Sequence, residues 1–187
     1  MAHVITGAIL WRRLDAAGHE ACRLVQRQGG WDLEGTAAYQ HEGAPACLAY
    51  KVECDNAWVT RQGHVRGWIG EQPLDITVTR SAQGRWALNG QVIDGLEGCF
   101  DLDLGFTPST NLLQLRRIAL GVGDAADVPV AWLDVDAVAL DRLQQRYERR
   151  AAEIYWYEAP RFDYSGLLQV NGVGFVEKYP DLWETDA

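Results

Sequence analysis

Apolar and polar residues alternate along most of this chain, and the alternation predicts strands. Leu74, Ile76 and Val78 stand against Asp75, Thr77 and Thr79, and the run from Ala49 to Val59 behaves alike, so an extended backbone would sort them onto two faces. Turn signals recur at Ala17-Gly18, Gln28-Gly29-Gly30, Glu42-Gly43, Asp55-Asn56, Gly70-Glu71, Gln83-Gly84, Asn89-Gly90 and Gly95. Strand and turn in regular succession predict an antiparallel meander over roughly the first 130 residues. Strand character returns in Tyr155 to Glu158, in Phe162 to Val170, and, after an Asn171-Gly172 turn, in Gly174 to Pro180.

Two segments depart from this rhythm. From Val135 to about Tyr155 there is no Gly or Pro, and Leu140, Leu143, Tyr147, Ala151 and Ile154 fall three or four residues apart. That spacing predicts one long amphipathic helix, about 136–153, with Asp134 or Asp136 capping its start. Some eighteen residues would span about 27 Å, enough to cross a wide sheet as a lid or plug. The other segment is 99–117. Phe100, Leu102, Leu104 and Phe106 alternate with Asp101 and Asp103, predicting a strand with both carboxylates on a wet face. Pro108 and the polar run Ser109, Thr110, Asn111 then predict a turn, followed by a return strand from Leu112 to Leu120 carrying Arg116 and Arg117.

Composition narrows the functional classes. The 187 residues suit a single domain, 1–187, with no repeat or linker to divide it. Seventeen basic against 26 acidic residues give a net charge of −9, and the basic residues form no dense patch, which argues against nucleic acid as a partner. The four cysteines lack a Cys-x-x-Cys pair and lie in apolar or strand-like runs, as buried free thiols do. The N-terminal residues show no signal-peptide pattern, and no segment approaches a membrane-spanning length. A soluble, cytoplasmic protein is expected.

The candidate chemistry is sparse. Asp101-Leu102-Asp103 could hold a divalent metal, but no nucleotide-binding strand-loop-helix pattern accompanies it, and no metal or cofactor is predicted. Cross-strand pairing with Arg116 or Arg117 is the better account of the two acids. Thr107, Ser109, Thr110 and Asn111 could meet sugar hydroxyls, although such residues also satisfy their own backbone in turns. There is no Gly-x-Ser-x-Gly elbow, and the four histidines lie far apart, so a hydroxyl triad is not expected. Eight tryptophans supply flat surface for core or ligand, with Trp58, Trp68 and Trp132 nearest to the ends of strand-like runs. Tyr147 falls on the apolar stripe, with its hydroxyl expected to be tied to a partner.

The Cys99-x-Asp101-x-Asp103 run, the following Thr107-Pro108-Ser109-Thr110-Asn111 and the Arg116-Arg117 pair resemble the Putative glycolipid-binding family of bacterial proteins. The segments YKVECDNAWVTR (50–61) and QQRY (144–147), and Tyr179-Pro180, look like the same family, so the resemblance covers roughly Trp11 to Pro180. It implies an open, curled antiparallel sheet similar to bacterial lipoprotein carriers and a role in binding a lipid or glycolipid. The expectation is therefore a mainly β fold: a long curled antiparallel sheet forming an incomplete barrel, with the helix across its concave face. A non-catalytic binding protein for a glycolipid or fatty-acyl amphiphile is the leading function, with the tail in the concavity. Its ligand-binding candidates are Asp101, Asp103, Thr107, Asn111, Arg116, Arg117, Trp58, Trp132 and Tyr147. The alternatives are an enzyme acting on a sugar or lipid conjugate through the paired aspartates, and a structural or interaction module without a small ligand.

Overall fold

The computed structural model describes residues 4–186. Its strands form one sheet of fifteen, laid down in two runs. The first run is a meander of β1 (Val4–Arg13), β2 (Gly18–Arg27), β3 (Gly30–His41), β4 (Ala44–Asp55), β5 (Thr60–Ile69), β6 (Gln72–Arg80), β7 (Trp86–Leu88) and β8 (Gln91–Ile93). The chain then crosses to the opposite end of the sheet and forms β9 (Leu102–Leu104) and the helix α1 (Asn111–Ile118). A second meander follows, through β10 (Ala125–Asp134), β11 (Ala139–Ala151), β12 (Ile154–Ala159), β13 (Tyr164–Val170), β14 (Val176–Tyr179) and β15 (Trp183–Thr185). β15 pairs antiparallel with β1, Trp11 opposite Thr185 and Arg13 opposite Trp183, which joins the two runs. β8 and β9 are left at the two ends, so the sheet does not close into a barrel. All pairings are antiparallel except β9 with β10.

The sheet curls around two apolar clusters. Leu24, Leu33, Leu48, Val65, Ile76 and Val78 point inward from β2 to β6 and pack with Leu102, Leu104, Leu112 and Leu113. Val128, Val130, Leu143, Tyr147, Tyr157 and Leu168 form the second cluster with Leu115. The helix α1 thus places side chains in both clusters, and Asn111 through Leu115 are all buried. A tail-sized empty concavity is replaced by the helix's own leucines.

The expected architecture, a mainly β open curled sheet with one helix, is present, but the helix lies elsewhere. Residues 136–153 form a turn and the strand β11, and the predicted return strand at 112–120 is the helix. In β11 the buried residues Leu143, Gln145 and Tyr147 follow period two, while Leu140 packs into the other cluster. Spacings of three and four arose because Leu140 faces one side of the strand and Leu143 and Tyr147 the other, and because the buried Gln145 reads as a surface residue. Asp134, expected to cap a helix, accepts the backbone N–H groups of Asp136 (3.0 Å) and Ala137 (3.2 Å) and closes the β10–β11 hairpin instead. Asn111-Leu-Leu-Gln-Leu-Arg-Arg-Ile is rich in helix formers that are not branched at Cβ, with its first β-branched residue at position 118, and so coils after the turn.

Candidate functional site

The site is built on β9. Thr60 fixes the strand's entry, donating its backbone N–H to Phe100 O (3.0 Å) and accepting Leu102 N–H on its hydroxyl (3.0 Å). Alternation then sends Leu102 and Leu104 into the first cluster and Asp103, in register with Trp132 of β10, toward the second. The alternation predicted for this strand is present, but the acidic face is not wet: Asp101 and Asp103 are both buried, covered by the second run of strands and by α1. Asp101 accepts a two-pronged contact from Arg117, Nε to Oδ1 at 2.9 Å and Nη2 to Oδ2 at 2.6 Å. Asp103 has a different environment. Its Oδ2 accepts Gln145 Nε2 at 2.8 Å and Gln114 Nε2 at 3.3 Å, and Tyr147 donates to Gln114 Oε1 (2.6 Å) while accepting Asn111 Nδ2 (2.6 Å). Burial raises the Asp103 carboxyl above the usual range; the two amides oppose that and the Asp101 charge adds to it.

Above Asp103 lies a cavity of about 350 Å³. Asp103, Thr107, Asn111 and Gln145 give it a polar floor, and Trp132, Tyr157, Tyr164, Tyr179 and Trp183 contribute aromatic walls. Phe162, half-exposed in the 3-10 turn Pro160–Phe162, stands edge-on to Trp132 at its lip with Leu182 nearby. Among the described residues, no Lys, Arg or His lines it. Gly105 is required at the lip because a Cβ there would collide with the Trp132 indole nitrogen.

A second buried carboxyl supports the turn that forms one side of the floor. Glu20, from β2, accepts Thr107 Oγ1 at 2.5 Å and the Tyr50 hydroxyl, while Thr107 in turn accepts the Ser109 N–H at 3.0 Å. Burial lifts the Glu20 carboxyl to about 7, against the Thr107 and Tyr50 hydrogen bonds and the charge of Arg13.

Of the residues singled out in the sequence, Asp103, Thr107, Asn111 and Trp132 line this cavity, and Tyr147 lies behind its floor through Asn111. The others are elsewhere. Asp101 and Arg117 satisfy each other. Arg116 donates to Val173 O at 2.8 Å and its guanidinium lies over Trp58, which stacks on Trp31 with ring centroids 4.4 Å apart. Trp58 adopts a φ of +66°, a left-handed conformation that its stacking and the Asp55 side-chain contacts to Ala57 and Val59 N–H hold in place. Trp68 is exposed on β5. Gln145, Tyr157, Tyr164, Tyr179 and Glu20 were not foreseen. The Tyr155-Trp-Tyr-Glu alternation carried a signal for Tyr157, and the QQRY motif one for Gln145; nothing in the local sequence marked Glu20.

These features define a curled, open β-sheet protein with an internal helix and a small aromatic-walled, polar-floored cavity. The chain belongs to the Putative glycolipid-binding family, whose model matches residues 8–185. Its fold is similar to that of a DUF1089 family protein from Pseudomonas aeruginosa, with a TM-score of 0.76 at 24% identity, over 88% of this chain and 90% of that one. Among curated proteins, none matches. No helix among the described residues is long and apolar enough to cross a membrane.

Proposed function

We propose that this protein binds an amphiphile, with a sugar-like head group in the cavity above Asp103 and the tail leaving across the Phe162 lip, and that it does not turn the ligand over. The observation that carries this reading is the cavity's composition: flat aromatic walls over a floor of amides, a hydroxyl and a carboxylate, opening at an exposed phenylalanine. Such a surface suits a ring with apolar faces and polar edges. Its volume lies at the small end of ligand sites, room for a head group and not for a long acyl chain. The absence of a cationic side chain from the lining disfavours a phosphate. The paired-aspartate enzyme loses its geometric basis, because Arg117 occupies Asp101 while only Asp103 reaches the cavity. A cytoplasmic setting fits the four free thiols, three of them buried.

The test is native mass spectrometry of protein purified from its own organism, followed by lipid extraction of the same sample. A discrete amphiphile that co-purifies with the wild type and is lost from Trp132→Ala is the expected result. Empty protein that takes up no offered amphiphile would overturn the reading.

A further inference from the structure

The cavity floor holds a carboxylate with no cation beside it among the described residues. Both hydrogen bonds to Asp103 end on Oδ2 and come from neutral amides, and the charged neighbour acting on it, Asp101, repels. The arginines of the region are paired with other carboxylates, Arg117 with Asp101, Arg161 with Asp141 at 3.0 Å and Arg13 with Asp15 at 2.6 Å, and the guanidinium groups of Arg161 and Arg13 lie over the Trp132 and Trp183 rings at 4.7 and 5.3 Å. A buried carboxylate without a counter-charge is costly to keep ionised, and amides offset only part of that cost. Around it stand aromatic rings. Trp132 is in register with Asp103, and Tyr179 contacts Tyr157 and Tyr164 at centroid distances of 5.7 and 5.3 Å. Ring faces attract cations, most strongly where water is excluded. Carboxylate and rings therefore share an added attraction for a cation that a neutral or anionic head group would not receive.

We propose that the head group bound here carries an ammonium nitrogen, seated against Asp103 and enclosed by Trp132 and the tyrosines. The proposal rests on the amphiphile reading and sharpens it. The charge could be the primary ammonium of an amino sugar or the quaternary ammonium of a choline-type head group, which offer the same chemistry to this floor.

Isothermal titration of the full chain with four probes of equal tail length tests it: octyl glucoside, octyl glucosaminide, its N-acetyl derivative and octyltrimethylammonium. At least one of the two cationic probes is expected to bind about ten-fold or more tightly than octyl glucoside, as a charge-assisted contact would give. Asp103→Asn is expected to erase that preference, leaving neither cationic probe bound more tightly than octyl glucoside. N-acetylation removes the charge on the unaltered protein, so the test stands even if the variant does not fold. Glucosaminide ahead of trimethylammonium would assign the charge to a sugar, and the reverse order to a choline-type group. Octyl glucoside or the N-acetyl probe binding as tightly as both cations would overturn the ammonium assignment and leave the amphiphile reading intact. Failure of all four probes, together with protein that purifies empty, would overturn both.

Discussion

Glu20 is an expensive residue to hold ionised, because its carboxyl is buried and its Oε2 has no hydrogen-bond partner among the described residues. The groups around it are Thr107 from the β9–α1 turn, Tyr50 from β4, Cys22 and Tyr39 from the neighbouring inner face, and Arg13 from β1. With the folded carboxyl at about 7 and the ordinary value at 4.5, the folded state holds its proton through the interval in which the unfolded chain has already lost it. Stability from this group is therefore complete below pH 4.5 and declines as pH rises through 7, by about 3 kcal/mol in all. Urea unfolding at pH 5 and pH 8 checks it: Glu20→Gln should flatten the loss of stability between the two pH values. Parallel pH dependence in variant and wild type would show that Glu20 is not the group responsible. Asp103 is raised in the same direction by burial, and a bound ammonium would act on it in the opposite sense, favouring the charged form.

At the scale of elements, α1 ends on a non-glycine residue in a glycine conformation. Ala119 has φ +46° and ψ +47°, with its N–H donating to Leu115 O at 3.1 Å. A Cβ in that region is strained, so Ala119→Gly should raise stability by about 0.5–1 kcal/mol, seen as a higher denaturation midpoint with an unchanged slope. An unchanged or lower midpoint would mean that the lost backbone restriction in the unfolded chain outweighs the relief. This helix also shows what could be read from the sequence. Period-two alternation found β6 and the β4 segment, and it assigned Leu102 and Leu104 to one face of β9 and Asp101 and Asp103 to the other. It could not say that the acidic face would be covered, because burial on that side comes from β10 and β11, further along the chain, and from α1, whose segment reads locally as a strand. In β11 the local signal misled because Leu140, alone on its otherwise solvent-facing side, is buried in the other cluster from Leu143 and Tyr147, and a strand acquires helical spacing. Of the cavity lining, Asp103, Thr107, Asn111 and Trp132 were legible, Asp103 from strand alternation and Thr107 and Asn111 from the polar turn. It was not legible where the aromatic wall arrives from β12, β13 and β14, since which strands face the cavity is settled by the curl of the sheet.

At the scale of the molecule, the question is whether the two runs of strands behave as one unit. Among the contacts that join them are the β1–β15 pairing, the hydrogen bond from Trp11 Nε1 to Val176 O at 2.6 Å, the seal of the crossing segment, and α1. In the seal, Trp86 Nε1 and Arg80 Nε both donate to Cys99 O, at 3.2 and 3.1 Å. The helix is the most diagnostic, because Leu113 is fully buried in the first cluster while Leu115, two residues on, packs into the second. Leu113→Ala removes a buried side chain from a site enclosed by backbone and leucines and should cost about 2–5 kcal/mol. If the sheet is one cooperative domain, native-state hydrogen exchange will show that loss equally in the β3–β4 amides and in the β11–β12 amides, although, Leu140 at the start of β11 apart, only the former share a cluster with residue 113. Loss of protection confined to β3 and β4, with β11 and β12 untouched, would mean that the second run and its cavity stand without the first. In that case ligand binding above Asp103 would survive in the destabilised variant under conditions that open the β2–β6 meander, whereas a single unit would lose both together.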